Sequence, residues 1–349
     1  MDDENYSQRV IHTLKNYQED TINRMSYMQK VMSGASLKHK ELLLQTGFGQ
    51  YLNNLVNCVE ENQSVLTEIL QTSEMELESV TTEKNAKTYN LDYQRLISCL
   101  IQIVREWSEI GENERKICFQ PILEELKSHF PEDSRDEIRI LVPGCGLARL
   151  PFEIALEGFQ CAANEQDLIQ LMTASYIINA CQNVDEKVIY PWIHDLSNRA
   201  SKSEATKLVN FPDIDPSERP DNFQFDIIPG DFVEVSKEME LDESLDAVIT
   251  TFFIETAQNP LKYLDAIAKI LKPGGLWINF GSLNFVHEPF QDCISISLEV
   301  LKNIVKTEYK FAFLKDEIVQ STYGTTNCDT SRTKVDLNCC FFVCQKPEE

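Results

Sequence analysis

Residues 138–146 read IRILVPGCG, a β-branched run closed by a glycine turn. Such a run predicts a short strand that enters a tight loop. LARLPFEIALEGF (147–159) follows with helical spacing, and FQCAANE (159–165) is a second short apolar run ending in an acid. Helical DLIQLMTASYIINAC (167–181) comes next. Further strand-like runs are FDIIPGDF (225–232), LDAVITTFFI (245–254) and LWINFG (276–281), and helical PLKYLDAIAKIL (260–271) separates the last two. Strands alternating with helices indicate βαβ units and a parallel sheet. The tail adds a helix near Ser297–Lys306 and two strand-like runs, near Phe311–Gln320 and Asn338–Gln345.

Upstream of residue 130 the pattern is helical. From Gly47 to Leu70 the apolar positions Leu52, Leu55, Val56, Val59, Val65, Ile69 and Leu70 lie at mixed three-and-four spacing. The polar stretch 73–90 reads as a solvated linker or frayed helix, and helices are expected over about Leu91–Ser108 and near Ile117–Phe130, the latter starting close to Pro121. Residues 188–225 are too long for an ordinary connection. Their aromatics and prolines, in Tyr190-Pro191-Trp192-Ile193-His194 and in FPDIDP (211–216), suggest an ordered lid.

Composition narrows the partners. With 32 Lys plus Arg against 56 Asp plus Glu, the 349-residue chain carries a formal charge of −24. That excess repels nucleic acid phosphates and anionic membranes, and it fits a small-molecule or cationic partner better. No apolar run reaches the length of a membrane-spanning helix, and the acidic N-terminus, MDDENYSQRV, argues against a secretory or transit peptide. The 11 cysteines form no CxxC pair and sit mostly in apolar runs, which favours a reduced compartment, cytoplasmic or nuclear, and no metal site. Cys339 is expected on one strand face, with Cys340 and Cys344 on the other.

Gly144 and Gly146 close the first strand and would let a cofactor approach the backbone. The third glycine of a dinucleotide fingerprint is replaced by Arg149, so the pair alone fits an ordinary strand-to-helix turn as well. Glu165 follows Gly146 by 19 residues, at a strand end, where a carboxylate can accept both hydroxyls of a ribose. Asp231 follows the third run and can accept from an adenine amino group while Phe232 packs on the ring. Leu271-Lys272-Pro273-Gly274-Gly275 precedes the last strand of the series. Together, in this order, these features fit a pocket for S-adenosylmethionine.

At this point the chain resembles the Rossmann-like methyltransferases, in which LKPGG precedes the fifth strand. It resembles the carnosine N-methyltransferase family more closely. IVREWSEIGENER (103–115), ILVPGCGLARLPFEIALEGF (140–159), YPWIHDLSN, FPDIDP, TTFFIETAQN, ILKPGGLWINFG and the terminal FFVCQKP carry that likeness across residues 95–347. The resemblance implies an α/β fold: a class I methyltransferase sheet with helices on both faces. It implies a helical N-terminal region at 1–90 and a methyltransferase domain at 91–349, with N-terminal helices at 91–130 and the inserted lid at about 188–225. It places Gln102 and Arg105, three apart on one helical face, in the cofactor site, with Arg105 clamping a carboxylate; an exposed salt bridge is the bland alternative for Arg105.

The implied reaction is methylation of an imidazole nitrogen of a histidine-containing dipeptide such as carnosine, giving anserine, with no metal. On the substrate side the family has Asp where this chain has Glu255, one methylene or about 1.5 Å longer. The family histidine after the fifth strand aligns with Val286, one position before His287. The family's tyrosine cluster aligns with Val335, Asp336 and Leu337, whereas Tyr323 is retained. His287 reads as a substrate contact or a solvent-exposed loop residue, and His194 as a bond within the lid or a substrate contact. The altered positions keep open a different small amine, another imidazole compound or a protein histidine as substrate, and a non-catalytic cofactor-binding scaffold. The long helical N-terminus suits a homodimer or a pack of helices at the cofactor mouth.

Overall fold

The computed structural model describes residues 3–73, 86–197, 199–238, 241–285, 293–322 and 335–348. In chain order these residues form α1 (Asp3–Lys15), α2 (Tyr17–Gly34), α3 (Leu37–Gln45), α4 (Phe48–Thr72), α5 (Ala86–Trp107) and α6 (Glu112–His129). Next come β1 (Arg139–Pro143), α7 (Arg149–Leu156), β2 (Gln160–Glu165), α8 (Leu168–Ala180), β3 (Lys187–Ile189), α9 (Lys202–Ala205) and β4 (Val209–Phe211). The remainder is β5 (Gln224–Pro229), α10 (Phe232–Glu238), β6 (Leu245–Thr251), α11 (Pro260–Ile270), β7 (Leu271–Gly281), α12 (Leu298–Thr307), β8 (Ala312–Thr322) and β9 (Asp336–Gln345). Among the described residues no helix is long and apolar enough to cross a membrane.

The expected α6 begins at Glu112, well before Pro121, which sits inside the helix. Proline is easily accommodated only in the first helical turn, so sequence reading put the start too late. The linker expected at 73–90 lies largely outside the described residues, and Ala86 already opens α5.

Two compact units interleave along the chain: Met1–Glu112, Leu168–Ser217 and Gly324–Lys334 form one, and Asn113–Asp167, Glu218–Tyr323 and Val335–Glu349 the other. The first unit is organised by α4. Its buried positions Leu52, Leu55, Val59, Asn62, Leu66 and Ile69 step by three or four, which makes one helical face. Asn62 is the polar member of that stripe and is 0% exposed. Its Nδ2 donates to the carbonyl of Tyr190 at 3.0 Å, and its Oδ1 accepts from the Tyr190 N–H at 2.7 Å. One amide side chain thus supplies both bonds that a neighbouring strand would give Tyr190, which is how a loop can be buried without orphaned backbone groups.

The same Nδ2 donates to the Tyr17 hydroxyl at 3.0 Å, and that hydroxyl pairs with His194 Nε2 at 2.8 Å. The YPWIH stretch is therefore fastened to α2 and α4, in line with the ordered segment expected there. β3 and β4, which flank it, pair antiparallel. Burial, with the Arg24 guanidinium adding to it, pushes the His194 imidazole down to about 4 from its ordinary 6.5.

The second unit holds the seven-stranded sheet in the order β5-β2-β1-β6-β7-β9-β8. The strands from β5 to β7 pair parallel, and β9 joins antiparallel to both β7 and β8. From β1 the chain first builds outward through β2 to β5, then returns to place β6 on the other side of β1. The switch in strand order thus falls between β1 and β6, where open α/β sheets bind ligands. β1 buries Ile140, Leu141 and Val142 in succession, as expected of a strand covered on both faces. Cys340 and Cys344 belong to the core cluster under α11 and α12, and Cys339 is buried on the alternate face.

The two strands at the switch meet through a ring. A Cβ added to Gly144 would lie 2.2 Å from Phe253 Cδ2, and Gly144 has φ +61°. Only glycine permits both the backbone and the contact. Phe253 stacks on Tyr263 with centroids 4.5 Å apart, and Phe232 meets both rings edge-on at 5.6 Å. This wedge supports the ends of β1 and β6 and the start of α10.

Two outcomes follow from these contacts. The unfolded chain takes up a proton near pH 6.5 that the folded His194 refuses until about 4. Stability is therefore lost as pH falls through that window, by roughly 1–3 kcal/mol for a shift of this kind. Thermal unfolding at pH 7.5 and pH 5 should show a larger drop for the natural chain than for His194→Gln; equal drops would remove the histidine from the account. Gly144→Ala should destabilise by about 1–3 kcal/mol through overpacking, read as a lower urea midpoint, and an unchanged midpoint would mean that the Phe253 ring yields freely.

Candidate active site

The carboxyl ends of β1, β2, β5 and β6 lie along one edge of the sheet and carry Gly144, Gly146, Glu165, Asp231 and Glu255. Glu165 is the last residue of β2 and only 7% exposed. Its Oε2 accepts from the Gly146 N–H at 3.0 Å, and its Oε1 accepts from the N–H groups of Gln166 at 2.8 Å and Asp167 at 2.9 Å. Three of the roughly four acceptor positions of a carboxylate are thereby used. The glutamate clasps the glycine turn after β1 to its own strand end and keeps one position on Oε2. Burial pushes its carboxyl above the ordinary 4.5, against the opposing pull of the three N–H groups.

Asn164 completes this corner and is a residue that the sequence reading did not single out. It is 0% exposed, and its Nδ2 donates to the carbonyls of Ile228 at 3.0 Å and Gly230 at 2.9 Å. Its own carbonyl accepts from the Cys145 N–H at 3.0 Å, and the Glu165 carbonyl accepts from Gly230 at 2.9 Å. The tips of β1, β2 and β5 are bound together by these bonds. The legible signal was an asparagine inside an otherwise apolar run, where a buried amide must find partners.

Asp231 is exposed at the start of α10, and its Oδ1 accepts from the N–H groups of Val233 at 2.9 Å and Glu234 at 3.1 Å. It caps the helix, and its Oδ2 is the oxygen left to face a ligand. Phe232, expected to pack on an adenine, is placed in the aromatic wedge and is 3% exposed. Its burial among Phe253 and Tyr263 satisfies the hydrophobic effect without a ligand.

At the end of β6 the chain turns sharply. Phe252 has φ +50°, a left-handed value costly for a bulky residue, and its N–H donates to the Phe280 carbonyl at 2.9 Å. Strained residues of this kind cluster at functional sites. A Cβ on Gly281 would stand 2.9 Å from Phe252 N, so β7 can approach only through glycine. The turn delivers Glu255, half-buried, and Ser282 donates to its Oε1 at 2.9 Å.

A buried polar chain lies behind it. Trp277 Nε1 donates to Thr250 Oγ1 at 2.8 Å, Thr250 donates to Asn279 Oδ1 at 2.8 Å, and Asn279 Nδ2 donates to the Cys340 carbonyl at 3.4 Å. Thr250, Asn279 and Ser282 were also missed by sequence reasoning.

Gln102 and Arg105 lie on α5 in the other compact unit, both half-buried; Gln102 Nε2 donates to Glu106 Oε1 at 2.7 Å. Leu337 is half-buried on β9 opposite Ser321, and Val335 is exposed. Val286, His287 and Tyr323 lie outside the described residues.

The corner fits an adenosine moiety by its own chemistry. It offers a buried carboxylate with one acceptor position in reserve and a capping aspartate with a second oxygen. Asn164 Oδ1 and Thr251 Oγ1, at the ends of β2 and β6, are moreover buried with no hydrogen-bond partner among the described residues.

Comparison with known proteins bears on the same segments. Residues 82–348 match the sequence profile of a family described as carnosine N-methyltransferase. A carnosine N-methyltransferase of Rattus norvegicus is 35% identical over 350 residues, covering 97% of this chain and 86% of that protein. One from Schizosaccharomyces pombe is 37% identical over 314 residues, covering 84% of each. One from Dictyostelium discoideum is 34% identical, covering 96% of this chain and 75% of that protein. With a profile match across most of its length and relatives of this similarity, the chain belongs to the carnosine N-methyltransferase family.

Proposed function

We infer that this chain transfers a methyl group from S-adenosylmethionine to an imidazole nitrogen of carnosine. The observation that carries the reading is the edge of the sheet at the strand-order switch, where Glu165, Asp231 and Glu255 emerge at successive strand ends of a chain of this family. When bound, S-adenosylmethionine supplies an electrophilic methyl group on a sulfonium.

Glu165 would hold one ribose hydroxyl, rather than both, through the acceptor position left on Oε2, and Asp231 the adenine amino group. The family resemblance assigns Gln102 and Arg105 to the cofactor as well, and that assignment rests on the sequence. Glu255 would accept the N–H of the acceptor's imidazole. That bond fixes the tautomer and leaves the lone pair of the other nitrogen available for attack. The chain's contribution is mainly alignment, since a displacement is sensitive to the separation and angle of its partners. His287 and Tyr323 stay candidates for further substrate contacts on the strength of the sequence.

Glu165→Ala should weaken S-adenosylmethionine binding about ten- to a hundredfold, the cost of losing a hydrogen bond to a charged acceptor. Hydroxyl donors need the ionised carboxylate, and burial raises its pKa above 4.5. Affinity should therefore fall as pH drops through that raised value, and Glu165→Gln should be weak but flat with pH. Calorimetric titrations that find Glu165→Ala unaltered would refute this assignment.

Turnover is tested with labelled S-adenosylmethionine against carnosine, related histidine compounds and whole-cell extract. Carnosine should be labelled. Label appearing only in another small amine or in a protein would replace it as substrate, and no label in any acceptor despite cofactor binding would favour a scaffold. Glu255→Ala should strongly depress turnover, leaving a small residual rate, yet keep cofactor affinity, and Glu255→Asp, which restores the family residue, should raise activity on carnosine.

A further inference from the structure

We propose that Ser282 is a positioning residue for the acceptor: its hydroxyl aims the longer Glu255 carboxylate, so that the Glu255–Ser282 pair does the work of the family's single aspartate. This rests on the reading of Glu255 as the carboxylate that meets the imidazole. A hydroxyl has one proton, and at Ser282 it is spent on Glu255 Oε1 at 2.9 Å. Ser282 Oγ in turn accepts from the Asn284 N–H at 3.4 Å, which sets the direction of the hydroxyl and ties it to the loop after β7.

The serine itself is anchored from two sides. The Phe280 carbonyl takes the Phe252 N–H, and the Gly281 carbonyl takes the Cys340 thiol at 3.2 Å. Close packing of Gly281 on Phe252 leaves no room for the strand end to slide. The position of Ser282 relative to the Ile254–Thr256 turn is therefore fixed by backbone contacts, and it can hold a side chain with one more rotatable bond than aspartate. Restraining that bond lowers the entropy lost when the carboxylate meets its partner.

The test uses the full chain with labelled S-adenosylmethionine and carnosine in single-turnover assays. Ser282→Ala should lower the rate about three- to thirtyfold, less than the full ten- to hundredfold of a hydrogen bond to a carboxylate because the carboxylate itself stays in place. Cofactor affinity and thermal midpoint should hold, and Ser282→Thr, which keeps the hydroxyl, should recover most of the rate. In a Glu255→Ala background, Ser282→Ala should have no further effect on the residual rate. A natural rate in Ser282→Ala, or the same fractional loss with and without Glu255, overturns the proposal while leaving the role of Glu255 intact. Full turnover by Glu255→Ala instead defeats the underlying reading of Glu255.

Discussion

The contact between Gly144 and the Phe253 ring sits at the point where the strand order reverses, and the geometry of the site depends on it. The ring occupies the volume that any side chain at 144 would need. It therefore sets how closely the end of β1 approaches the end of β6. Tyr263 and Phe232 hold the ring from behind, so α10 and α11 are fixed by the same wedge. Close-packed aromatic cores transmit such constraints because they have few voids into which a ring can retreat. The glycine turn is commonly read as room for a cofactor; in this fold residue 144 is also bound by packing from within.

Around that contact the unit uses buried polar groups as fasteners. Asn164 joins the tips of β1, β2 and β5, and Glu165 gathers three N–H groups, including that of Gly146. Thr250, Trp277 and Asn279 link β6 to β7, and Cys340 brings in β9. A buried polar group is costly unless paired, so each of these residues favours one register over its neighbours. The other unit applies the same device through Asn62, which supplies a loop with the two bonds of a strand partner.

On the proposed role of Glu255, its departure from the family pattern is compensated locally. A side chain longer by one methylene is held by a serine from the neighbouring strand end. The strain at Phe252 and the close approach of Gly281 belong to the same turn, which leads directly into Glu255.

The sequence alone determined the alternation of strands and helices, the glycine turn after β1, and the acids at the ends of β2 and β5. These are local patterns, and local periodicity is set by the chain's own geometry. The stripe on α4 was legible too, whereas the anchoring of the aromatic stretch around Trp192 to Asn62 and Tyr17 came only with the fold. The sequence did not give the start of α6, because a proline inside a helix is tolerated when packing outweighs the lost bond. Phe232 read as a ligand-facing ring, and only the tertiary structure showed it in the wedge. The roles of Asn164, Thr250, Asn279 and Ser282 were not legible, since each is defined by a partner on another strand; Ser282 and Glu255 are 27 residues apart. Which residues meet across a sheet depends on strand order and register, and these are decided when the whole core packs.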